Sequence, residues 1–99
     1  MDTVLGFSTK KKQKLKEPGS FKVILLNDNY TPMEFVTGLL MAVFNKEPWE
    51  AERLMLDIHK NGRSIVGCYT EDIAVTKMKQ VHVVAEKNGF PLKCVVEKA

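Results

Sequence analysis

The candidates for a polar reactive centre in this 99-residue chain are Asp28, His59, Cys68 and Cys94. A cysteine beside a histidine makes a nucleophile–base pair. Here Cys68 falls inside a β-rich run rather than on a strand-to-helix elbow, and no G-x-S-x-G occurs. Metal chemistry has no better footing. His59 and His82 are not spaced i, i+4, no H-E-x-x-H is present, and two distant cysteines do not form a zinc site. The chain therefore reads as a non-enzyme, with no catalytic residue, no metal and no cofactor. With no export signal, both cysteines are expected to be reduced core residues in a cytoplasmic protein.

Binding chemistry is the remaining option. His59 follows Met55 by four residues, so the two share a helix face. Taken alone, His59 is a histidine favouring the C-terminal dipole of its helix. The polar run Asn27-Asp28-Asn29 is, on the same terms, a turn that ends a strand. Met33, Met55 and Met78 read as core or flexible surface filler.

These residues must be placed by their elements. Phe21–Leu26 begins in alternation and ends as an apolar run, which predicts a strand. Thr31-Pro32-Met33-Glu34 predicts a helix start, with Thr31 as cap, Pro32 at the first helical position and Glu34 completing a capping box. Phe35, Val36, Leu39, Leu40, Val43 and Phe44 then form its apolar stripe, and it stops near Asn45. A second helix runs from Pro48 to Asn61-Gly62, with Gly62 as a left-handed cap. Ser64–Tyr69 predicts a strand. Thr70 caps a third helix that ends at Asn88-Gly89, and Leu92–Glu97 is the last strand.

The order β-α-α-β-α-β predicts an α+β domain over residues 21–99. Its three-stranded antiparallel sheet packs against three helices, expected on one face. Residues 1–20 lack an apolar period, end in Pro18-Gly19-Ser20 and are expected to form a flexible basic extension.

Charge narrows the partners. The net charge is +3, yet residues 21–99 carry ten basic and ten acidic side chains. The excess lies in residues 1–20, where five lysines face Asp2 and Glu17. A neutral body argues against a broad nucleic-acid face. The apolar run Val23–Leu26 is far short of the ~20 residues of a membrane span. Neither nucleic acid nor membrane is expected as a partner.

Asn27-Asp28-Asn29-Tyr30-Thr31-Pro32-Met33-Glu34-Phe35-Val36 resembles the N-D-D-Y-T-P-M-E-F-V signature of the ClpS adaptor family. Leu54–Gly62 is similar to the family's second-helix motif, L-M-L-x-V-H-x-x-G. Gly67, the stretch from Thr70 to Lys77 and Pro91–Cys94 continue the likeness in order over about residues 20–99. The chain departs from the pattern at Asn29, where Asp is usual, and at Ile58, where Val is common.

The resemblance implies an adaptor for N-degrons. Such an adaptor binds proteins with a destabilising first residue, here Leu, Phe, Tyr or Trp, and hands them to a Clp AAA+ unfoldase of the ClpA or ClpC type. It implies that Asn27 and His59, assisted by Asp28, hold the substrate α-amino group. Thr31, Met33, Val36, Met55, Ile58 and Leu92 would form the pocket for the first side chain. Asp72 and Lys77 would contact the unfoldase, and the N-terminal extension would aid delivery by an adaptor expected to be a monomer. The chemistry is coherent, because an ammonium offers three donors and needs acceptors such as an amide carbonyl and a neutral imidazole. A second reading keeps the fold but not the pocket. It is a small interaction domain resembling the ribosomal stalk C-terminal domain, binding through a helix face.

Overall fold

The structure, a computed structural model, describes residues 20–99. The expected extension therefore lies outside the described residues, apart from Ser20. The elements run β1 (Phe21–Leu26), α1 (Met33–Phe44), α2 (Pro48–Asn61), β2 (Arg63–Tyr69), α3 (Glu71–Lys87) and β3 (Lys93–Lys98). The sheet order is β2-β1-β3, and both pairings are antiparallel. β1 is central, which is why Val23, Ile24 and Leu25 are the most completely covered run in the chain.

The helices cover the sheet face that carries Val23 and Leu25. These two side chains share a core with Leu39, Leu40 and Phe44 of α1, Leu54 and Ile58 of α2, and Ala74, Val81 and Ala85 of α3. Leu40 is fully buried. Truncating such a leucine to alanine costs about 2–5 kcal/mol, so this layer holds the fold together. Phe35 and Phe90 meet edge to face with ring centroids 4.8 Å apart, joining α1 to the turn after α3.

A bulge interrupts the β1–β2 ladder. Val23 faces Gly67 and Ile24 faces Ile65, so Val66 has no partner of its own. This reverses the alternation along β2. Ser64 and Val66 point inward, Gly67 takes the next inward place, and Cys68 is turned outward opposite Lys22. The expectation that both cysteines are core residues is thus half wrong: Cys94 is buried and Cys68 is exposed, both as free thiols. A Cβ at Gly67 would lie 2.5 Å from the Tyr69 hydroxyl oxygen, which folds back over it, so a larger residue there would require the Tyr69 ring to move aside.

The helix caps also differ from expectation. Pro32, not Thr31, occupies the N-cap of α1, with extended backbone and no side-chain cap, so the capping box is not formed. Thr31 lies one residue before the cap, and its hydroxyl donates to Asp28 Oδ2 in the turn that precedes the helix. Thr70 does hold the N-cap of α3, but its hydroxyl makes no capping bond. At the other end of α1, the Lys77 ammonium reaches across from α3 and donates to the Val43 carbonyl at 2.7 Å. It satisfies one of the carbonyls that a helix end leaves free.

Candidate functional site

The turn after β1 builds one wall of a cavity. Asp28 Oδ1 accepts the backbone N–H groups of Tyr30 and Thr31, each at 2.7 Å. Oδ2 accepts the Thr31 hydroxyl at 2.7 Å. This is the Asx-type geometry that short acidic side chains give to turns. Partial burial works against ionisation of Asp28, but these three bonds outweigh it and hold its carboxyl below the usual carboxylate range. A carboxylate has about four lone-pair sites, so one on Oδ2 stays open for a water or a cationic ligand.

The end of α2 builds the opposite wall. Gly62 caps that helix at φ 89°, a left-handed value that suits glycine, and its N–H donates to the Ile58 carbonyl. The Gly62 carbonyl then accepts the Asn27 N–H at 2.9 Å. That bond ties the last turn of α2 to the exit of β1, and it sets Asn27 beside the helix turn that carries His59. Two residues far apart in sequence are brought together by one helix cap.

Between the walls lies a cavity of about 230 Å³. Asn27, Asp28, Asn29 and His59 supply its polar lining, and Thr31, Met33, Val36, Met55 and Ile58 the rest. The volume is below the ~300–1,000 Å³ of clefts for drug-sized ligands and suits a single side chain. Val36, Met55 and Ile58 are buried, so the depth of the cavity is a wall of the protein core, while Met33 is 43% exposed and stands at the mouth. The chemistry of the lining is an acceptor-rich rim on an apolar pit.

Eight of the nine residues expected in the site come together here. Leu92 does not line the cavity; it is buried in the core cluster that contains Val36, Met55 and Ile58. Asn29, read in the sequence as part of the polar turn and as a departure from the family pattern, lines the cavity as well. Asp72 and Lys77 lie away from it on α3, Asp72 exposed in the first turn and Lys77 partly buried beneath α1. One polar link had no sequence signal at all. His82 Nε2 accepts the Cys94 N–H at 3.1 Å, pinning β3 to α3. No group of three or more potential metal ligands occurs among the described residues.

The sequence model of the ATP-dependent Clp protease adaptor protein ClpS matches residues 16–95. The chain belongs to the ClpS family. A ClpS adapter protein of Paraburkholderia phymatum is 50% identical over 90 residues, spanning 91% of this chain and 86% of that relative. One of Treponema denticola is 52% identical over 86 residues, spanning 87% and 85%. Among solved structures, Agrobacterium tumefaciens ClpS2 bound to L-phenylalaninamide superposes with a TM-score of 0.81 at 41% identity. That match covers 84% of this chain and 100% of the ClpS2 chain. Membership of the ClpS family places the chain among protease adaptors rather than proteases. No described helix is long and apolar enough to cross a membrane.

Proposed function

We propose that this chain is an N-degron adaptor. It captures proteins that begin with Leu, Phe, Tyr or Trp and delivers them to a Clp AAA+ unfoldase of the ClpA or ClpC type. The observation that carries the reading is the single cavity in which Asn27, Asp28 and His59 rim an apolar pit. L-phenylalaninamide, the ligand of the Agrobacterium relative, has the matching form: a free α-amino group beside one aromatic side chain.

In this reading the Asn27 carbonyl oxygen and the neutral His59 imidazole accept from the ammonium. Asp28 keeps the turn in place and adds a negative charge with one lone pair to spare. Thr31, Met33, Val36, Met55 and Ile58 surround the first side chain, with Leu92 supporting them from the core. Each charge-assisted hydrogen bond contributes ~1.5–3 kcal/mol. Burial of a Leu or Phe side chain adds ~1.5–3 kcal/mol. Lost rigid-body freedom removes much of the total, so neither half of the site holds a substrate alone.

Delivery uses other parts of the chain. Asp72 and the part of α3 around Lys77 form the docking surface for the unfoldase, and the lysine-bearing residues 1–20 assist transfer from an adaptor that acts as a monomer. The test is degradation of a reporter protein beginning with Phe by a Clp unfoldase–protease. The chain should accelerate it and leave the same reporter beginning with Ser unaffected. Equal effects on both, or none on either, would refute the reading.

A further inference from the structure

Met33 stands where two concavities meet. It lines the cavity at its mouth and also a larger hollow of about 490 Å³ between α1 and α2, whose other methionines are Met41 and Met55. Gly38 leaves the floor of that hollow open, with no atom within 4 Å of the place a Cβ would take. Exposure sorts these methionines. Met33 is 43% and Met41 40% exposed, whereas Met55 is 6% exposed and belongs to the wall that the two hollows share. Met78 is partly buried against the core. Of the two thioether side chains that solvent reaches, Met33 lies on the cavity and Met41 lies off it.

We propose that Met33 is a reversible oxidation site, at which a peroxide switches off degron capture. The inference rests on the adaptor reading above and adds regulation to the same cavity. A peroxide transfers one oxygen atom to the Met33 sulfur. The S–O bond forms as the O–O bond breaks, water leaves when the oxidant is hydrogen peroxide, and the sulfur gives up the two electrons that the peroxide gains. The product keeps the length of the side chain but not its character. A thioether is a soft, polarizable partner for a leucine side chain or an aromatic ring. A sulfoxide is polar and hydrated, and a first side chain entering the pit must strip that water away. Met41 undergoes the same reaction with no such consequence, because it does not line the cavity. A bound first residue covers the mouth, so the loaded adaptor is shielded and the empty one is the target.

The experiment treats the full chain with hydrogen peroxide at a dose that leaves Met55 reduced, as read by peptide mass spectrometry. Binding of a free peptide that begins with Phe is then followed by fluorescence anisotropy. Met33 and Met41 should be converted before Met55 and Met78, and the affinity should fall by about fivefold or more. On the same treatment M41L should lose as much as the parent, and M33L should keep whatever affinity it had beforehand. Saturating peptide should slow the oxidation of Met33 and not that of Met41. Dithiothreitol alone, which reverses sulfenic acid and disulfide at the exposed Cys68, should not restore binding. Adding the two methionine sulfoxide reductases, one for each epimer, should restore it. Unchanged affinity with Met33 oxidised, an equal loss in M33L, or oxidation of Met33 that bound peptide does not slow would overturn the inference with the adaptor reading intact. A free peptide that binds untreated protein no better than its acetylated counterpart would remove both.

Discussion

Asp28 holds Thr31 twice, through the backbone N–H and through the side-chain hydroxyl, each at 2.7 Å. The hydroxyl lies in the turn before the helix and donates within it. The consequence is a cavity wall tied down by one side chain.

That wall should be acid-sensitive. The Asp28 carboxyl sits below the usual range because the bonds from Thr31 and Tyr30 outweigh the penalty of its partial burial. Its stabilising contribution is therefore complete above the unfolded carboxyl value of ~3.9 and is lost as pH falls through the lower folded value. Urea denaturation should show D28A destabilised by about 1–2 kcal/mol at pH 7. The gap to the parent should narrow near pH 3. A gap that stays constant with pH would contradict the assignment.

Lys77 should matter for stability before it matters for any partner. Its ammonium lies 2.7 Å from the Val43 carbonyl and 5.9 Å from the ring centroids of Phe44 and Tyr69. Removing the ammonium in K77A should cost about 1 kcal/mol. In a domain of this size that lowers the Tm by roughly 4–8 °C. Thermal unfolding of K77A beside D72A separates the roles, because Asp72 is exposed and D72A should unfold within a degree or two of the parent.

The two thiols should react in strict order. Burial raises the Cys94 thiol to about 11, whereas Cys68 is exposed on the outer sheet face. The thiolate is the reactive form. Iodoacetamide at pH 8 should label Cys68 in the folded protein and reach Cys94 only on unfolding, as read by mass spectrometry of the peptides. Fast labelling of Cys94 in the folded state would show that β3 opens freely.

Met33 should govern which side chains enter. It is partly exposed at the mouth, where its bulk opposes a branch at the β-carbon of the first residue. M33A should improve binding of peptides that begin with Ile or Val by about tenfold relative to Leu, which corresponds to about 1.4 kcal/mol. Unchanged discrimination would place the filter elsewhere.

The fold was legible in the sequence because each element carried its own local signal. Pro48 and Gly62 bound α2 as they stand, and the apolar stripe from Phe35 to Phe44 marks α1. What escaped depended on competition between distant or neighbouring partners. Thr31 falls one residue short of the N-cap, and only the three-dimensional turn shows that its hydroxyl pairs with Asp28. The outward face of Cys68 follows from a bulge at Val66 that no residue type announces. The His82–Cys94 and Lys77–Val43 bonds join segments that periodicity treats separately. Of the candidate site, the motif residues pointed to both walls, while Asn29 in the lining and Leu92 behind it needed the structure.

The central claim is that Asn27 and His59 hold a free α-amino group while the pit holds the first side chain. Calorimetric titration with one peptide beginning with Phe, free and N-acetylated, against the parent, N27A and H59A tests it most directly. The account predicts binding of the free peptide, loss of at least tenfold in each variant, and no measurable binding of the acetylated form. Equal binding of free and acetylated peptides, or full affinity in H59A, would contradict it.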